Sequence, residues 1–206
     1  MNFTGFTQAD FDVFQIAGLD ERMTALKALI RPKLEFLGDQ FSGELSVLVG
    51  NEMFPHVAKH ARRTVNPPND TWVAFADNKR GYKKHPHFQI GLWQSHLFIW
   101  YAVIDESPNK ADIGALLEEK ISYLRKHIPG EFLWSDDHRK PEATKMKDLS
   151  DEQLLHLFQR LQSIKKSEIL CGVHLPREKA IQLTGPELVA FIHDVFVKLI
   201  PLYKLS

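Results

Sequence analysis

Between Phe54 and Phe88 the chain carries seven basic side chains, Lys59, Arg62, Arg63, Lys79, Arg80, Lys83 and Lys84, against two carboxylates, Asp70 and Asp77. That is a local charge of +5 in a chain whose formal net charge is zero, so the remainder carries −5. Guanidinium groups grip carboxylate or phosphate with paired hydrogen bonds, and lysine adds compact point charge. The stretch HARRTVNPPNDTW (His60 to Trp72) sets two arginines before a loop stiffened by Pro67 and Pro68 and ends on a tryptophan. Trp72, Phe75 and Tyr82 are interleaved with the basic residues and offer rings on which a base could stack. This pattern suits an anion site for a phosphorylated small molecule or nucleic acid. The competing reading is a solvated sheet edge, where Lys and Arg discourage strand addition.

Four of the ten histidines, His56, His60, His85 and His87, fall in the same segment. A spacing of four puts His56 and His60 on one face in either a helix or a strand, and His85 and His87 share a strand face. A metal centre would need a third converging ligand, and HVAKH lacks the glutamate of a zinc-peptidase helix. No metal or cofactor is expected. Neither a dinucleotide fingerprint, a phosphate-binding P-loop nor a nucleophile elbow occurs. Cys171, the single cysteine, sits in the apolar run EILCGV and reads as a core thiol. The SDD triplet (Ser135 to Asp137) reads as a solvated turn, and Glu118 and Glu119 as exposed helix charges. An enzyme remains the alternative function, with His60 or His87 as acid–base, oriented by Asp70, acting on a phosphorylated or carboxylated substrate. A third possibility is a module that draws acidic protein partners.

These residues need a scaffold. With 206 residues, 44% of them hydrophobic and 25% charged, and no linker or repeat, the chain reads as one domain. The longest apolar run, LFIWYAVI (Leu97 to Ile104), is too short to cross a bilayer. No secretory signal opens the sequence, so a cytoplasmic protein is expected; nothing in it indicates an oligomeric state. HFQIGLW (His87 to Trp93) alternates, with Phe88, Ile90 and Leu92 on one face and His87, Gln89 and Trp93 on the other. HLFIWYAVI, TWVAFA, EFLW and SEILCGVHL also read as strands. Phe11 to Ile16 reads as extended, and Pro32 should kink or break a helix that starts near Asp20. One long helix is expected from Lys110 to His127. Capping boxes at Ser150/Gln153 and Thr184/Glu187 open two more. NKRG (Asn78 to Gly81) reads as a tight hairpin loop with Gly81 at positive φ. The sum is an α+β domain: an antiparallel or mixed sheet with helices packed on it.

The six residues WVAFAD (Trp72 to Asp77) after the proline loop, as a strand, would carry Lys79 and Arg80 about 20 Å away. The candidate site is therefore Arg62, Arg63, Asn66, Trp72, Lys84 and His87, with Lys79 and Arg80 as an outer electrostatic lip. The segment from His56 to Trp93, with the opening FTQADFDVFQIAGLDERM and the later ESPNK, closely resembles the YktB-like family of Gram-positive bacteria, domain of unknown function 1054. The resemblance spans nearly the whole chain. It implies a compact intracellular α+β protein and carries no catalytic residue across.

Overall fold

The computed structural model describes residues 3–206. Seven strands form one fully antiparallel sheet: β1 (Phe54–Val57), β2 (Asp70–Ala76), β3 (His87–Trp93), β4 (His96–Val103), β5 (Leu133–Ser135), β6 (Thr144–Lys145) and β7 (Ile169–Pro176). Their spatial order is β1-β2-β3-β4-β7-β5-β6. The helices are α1 (Gln8–Asp12), α2 (Leu19–Ala25), α3 (Arg31–Val49), α4 (Lys110–Glu119), α5 (Ile121–His127), α6 (Asp151–Ser163), α7 (Arg177–Ala180) and α8 (Gly185–Tyr203). The domain is α+β.

Alternation decides the faces. Phe88 pairs with Tyr101 and Ile90 with Ile99 across β3 and β4, and with Leu92 all five are fully buried. Two residues join these strands, so they can only be antiparallel neighbours. This face meets the helices. Phe196 of α8 lies at the middle of the layer, with ring centroids 5.4 Å from Phe41, 6.0 Å from Phe75 and 5.3 Å from Phe88. Tyr203 stacks on Phe88 at 4.9 Å. The capping boxes at Thr184 and Ser150 open α8 and α6 as the sequence predicts.

The opposite face is also apolar, through Phe98, Trp100, Ala102 and Leu170, with Trp72, Trp93, Leu133 and Ala143 packed against them. Connecting segments, not helices, lie over it. The loop between β2 and β3 places Tyr82 on His87 at 4.8 Å, and the loop after β5 contributes Ala143.

Four local expectations fail, each for a physical reason. Phe11 to Gln15 is helical, because the reciprocal Thr7–Asp10 capping box starts α1 and a 3-10 turn (Val13–Gln15) continues it; only Ile16 is extended. Pro32 does not break the helix. A π-turn at Leu26–Ile30 precedes it, and this widened turn absorbs the missing N–H and the bulk of the proline ring. The helix from Lys110 to His127 is interrupted at Lys120, whose backbone leaves the helical region (φ −96°, ψ 19°). NKRG is not a tight hairpin: the strands stop at Ala76 and resume at His87, and Gly81 is not among the positive-φ glycines.

Candidate anion-binding cleft

After β1 the chain makes one further ladder bond, Ala58 N–H to the Trp72 carbonyl at 2.8 Å, and then turns. His60 adopts a left-handed conformation, φ 51°, which costs a non-glycine residue about 1–3 kcal/mol. Its ring is fixed by Thr71 (Nε2 to Oγ1, 3.1 Å) and stands edge-on to Trp72 at 5.5 Å. The Arg63 N–H closes the turn on the His60 carbonyl, leaving Arg62 and Arg63 exposed. The far end of this loop is anchored by Arg22. That buried guanidinium donates to the Ile16 carbonyl at 2.8 Å and to the Pro68 carbonyl at 2.9 Å.

The second wall is the loop 77–86. His56 Nε2 lies 2.8 Å from the Asn78 carbonyl oxygen, and the Arg80 N–H donates to Asn78 Oδ1 at 2.8 Å. The Trp72 indole N–H donates to the Tyr82 hydroxyl at 3.1 Å. These contacts fold the loop back across the sheet, so it does not project beyond the strand ends.

Between the walls lies an open cavity of about 900 Å³, bordered by Lys59, Arg62, Arg63, Arg80, Lys83 and Lys84, with Trp72, Tyr82, His56 and His60 among its lining. Glu106 is the one carboxylate on it and is paired with Lys83 at 2.6 Å. Among the described residues, Lys59, Arg62, Arg63, Arg80 and Lys84 form no ion pair. Of the candidate residues, Arg62, Arg63, Trp72 and Lys84 line the cavity together. Asn66 and His87 do not. Asn66 uses its carbonyl to accept a 3.4 Å bond from Arg63. His87 is sealed, with Nδ1 2.8 Å from the His85 carbonyl and Nε2 2.9 Å from the Gln89 amide. Lys79 stays outside, but Arg80 joins the cavity, contrary to the expectation of a separate lip. The strand-length argument holds only for a loop that continues outward. Lys59 and Glu106 were not singled out from the sequence; Lys59 belongs to the basic run, whereas nothing in the sequence ties Glu106 to it. Phe75 faces the helices and is fully buried, so it offers no stacking surface.

Burial, and then the charges of Arg63 and Arg31, push His60 down to about 4. Burial likewise takes His87 down to about 4 and Tyr82 up to about 12. Both histidines are therefore neutral at pH 7. Asp70, raised by burial to about 6, bonds to neither of them; His60 is oriented by a hydroxyl instead. The Asp70–histidine pairing expected for the enzyme alternative is not formed among the described residues.

A second polar cluster lies in the loop after β5. Glu168 is buried and accepts from the His138 N–H at 3.0 Å; its Oε2 lies 2.6 Å from His138 Nδ1. Burial alone would lower His138, but the hydrogen bond and charge of Glu168 hold it above its usual value. Asp137 offers a third ligand atom within 4.8 Å. Arg139 already engages both Asp137 oxygens, at 2.8 and 3.1 Å, and the Glu168 oxygens are taken by His138 and the Asp105 N–H. The arrangement is an ion-pair network in which every carboxylate oxygen has a donor. The SDD triplet is thus less solvated than its composition suggests.

The sequence model of one family, described as a domain of unknown function (DUF1054), matches residues 6–203. The chain belongs to the DUF1054 family. Its similar relatives include a UPF0637 protein of Bacillus velezensis, 57% identical over 98% of this chain and 96% of that one. A UPF0637 protein of Bacillus licheniformis is 50% identical over 100% and 98%, and one of Bacillus cereus is 48% identical over 100% and 99%. The match of DUF1054 takes in both walls of the cleft. Among the described residues, no helix is long and apolar enough to cross a membrane.

Proposed function

We propose that this protein binds a phosphate-bearing ligand in the cleft between residues 58–63 and 78–85. The observation that carries the reading is the meeting of Arg62, Arg63, Arg80 and Lys84, from two separate loops, on one cavity. All four are exposed, so water and salt screen their mutual repulsion, but together they raise a positive potential in the concavity that attracts an anion. The basic groups gather around a concavity of about 900 Å³ and do not spread along a ridge. That is the size of a small-molecule pocket, and it favours a compact ligand over a long nucleic-acid track.

The test is calorimetric titration with inorganic pyrophosphate at low ionic strength, using the unmodified protein and the variants Arg62→Ala, Arg80→Ala and Lys79→Ala. Each arginine should contribute roughly 1.5–3 kcal/mol through charge-assisted bonds, a loss of about 10- to 100-fold in affinity. Lys79→Ala should change little. Absence of saturable binding, or equal losses at Lys79 and Arg80, would refute the reading.

A further inference from the structure

The cleft holds more than a phosphate needs. Its basic rim surrounds a set of rings, Trp72, Tyr82, His56 and His60. Those rings are locked against one another and do not collapse into a stack. The Trp72–Tyr82 hydrogen bond ties the two largest at 3.1 Å. His60 meets Trp72 at an interplanar angle of 89°, and Tyr82 meets His87 at 64° beneath. Edge-to-face contacts cover less of the rings than stacking would, and Trp72, Tyr82, His56 and His60 all stay partly exposed on the cavity. The left-handed backbone of His60 (φ 51°) is the one non-glycine residue at positive φ among those described. It holds this ring against Trp72 at a conformational cost that surface charge alone does not require.

Resting on the phosphate reading above, we infer that the ligand is a nucleotide, its base laid on the Trp72–Tyr82 rings and its phosphate held by the arginines. A sugar phosphate or polyphosphate would satisfy the rim and leave the aromatic surface wet. A nucleobase would cover it, and stacking on an aromatic side chain is worth roughly 10-fold or more in affinity per base. The cavity, at about 900 Å³, accommodates base, sugar and phosphate together. Two sources share this chemistry, a free nucleotide and the phosphorylated end of a single strand.

The experiment compares adenosine 5′-monophosphate with ribose 5-phosphate by calorimetry on the full chain. These probes share the sugar and the 5′-phosphate and differ at C1′, where the base is replaced by a free anomeric hydroxyl. The nucleotide should bind at least about 10-fold more tightly. Trp72→Leu also loosens the wall that carries Arg80 and so weakens both probes, but it should cost the nucleotide more and thereby erase the preference, whereas Arg62→Ala should weaken both probes by similar factors and keep it. Tyr82→Leu, in a loop outside the sheet, is the second variant should Trp72→Leu fail to fold, and it should reduce the preference in the same direction. Equal affinity for the two probes, or a preference that survives both ring substitutions, overturns the inference and leaves the phosphate site standing. Binding of neither probe overturns both. A 5′-phosphorylated hexanucleotide that binds more tightly than the monomer assigns the strand end as the source; equal or weaker binding assigns the free nucleotide.

Discussion

Asp70 opens β2 with 8% of its surface exposed, and the hydrogen bond supporting its carboxylate comes from its own backbone. Burial raises it from 3.8 to about 6, against the opposing pull of His138 and Arg63. At about 1.36 kcal/mol per unit, that difference amounts to about 3 kcal/mol. Below pH 3.8 both the folded and the unfolded chain hold the proton, and no penalty exists. Between 3.8 and 6 only the unfolded chain releases it, so stability falls as pH rises. Above 6 the full penalty applies. Asp70→Asn removes the charge and keeps the shape. In urea titrations at pH 7.5 the variant should be more stable by about 2–3 kcal/mol, or about 4–12 °C in Tm for a chain of this size. At pH 4 the two proteins should agree within about 0.5 kcal/mol. A difference that does not change with pH, or a variant less stable at pH 7.5, would show that the carboxylate is paired in solution and that the burial argument is wrong.

Three other perturbations test the packing around the cleft. His60 and His87, both held near 4, should keep neutral ring nitrogens in NMR titrations down to about pH 5; a midpoint near 6.5 for either would contradict their burial. Arg22→Leu strips the Ile16 and Pro68 carbonyls of their donor, and should cost about 2–3 kcal/mol in denaturant unfolding while weakening pyrophosphate binding through a loosened loop. Unchanged stability would mean that water replaces the guanidinium. Gly172→Ala would set a Cβ 1.9 Å from the Ile99 carbonyl oxygen on the neighbouring strand; thermal melts should show a loss above about 3 kcal/mol or no folded protein at all.

Much of the scaffold could be read from local pattern. β3, β4 and β7 announce themselves by alternation or by unbroken apolar runs, and α6 and α8 by reciprocal caps, because each signal is carried by residues that act within one element. The errors in the helices at Phe11, Pro32 and Lys120 are local, but those at the cleft fall where a distant contact decides. Nothing near Asn78 reveals that Tyr82 will reach the Trp72 indole, yet that bond turns a supposed hairpin tip into a cavity wall and draws in Arg80. Likewise Glu168 and His138, thirty positions apart, meet only because β5 pairs with β7. The basic cluster itself was legible, since charge needs no fold to be counted. Its shape was not. His87 shows the converse limit: its alternation correctly put it on the face away from the helices, but a period-two pattern cannot say that a loop will seal that face.

The position of α8 also bears on how the chain is made. Phe196 contacts Phe41, Phe75 and Phe88, and the last helix thereby completes a core whose other members are synthesised far earlier. At roughly 5–20 residues per second, Phe41 waits about 8–30 s for its partner. During that interval the half-built sheet exposes the face that α8 will cover. A chain truncated before Phe196 would lack that cover for good, and its uncovered sheet face makes it prone to aggregate.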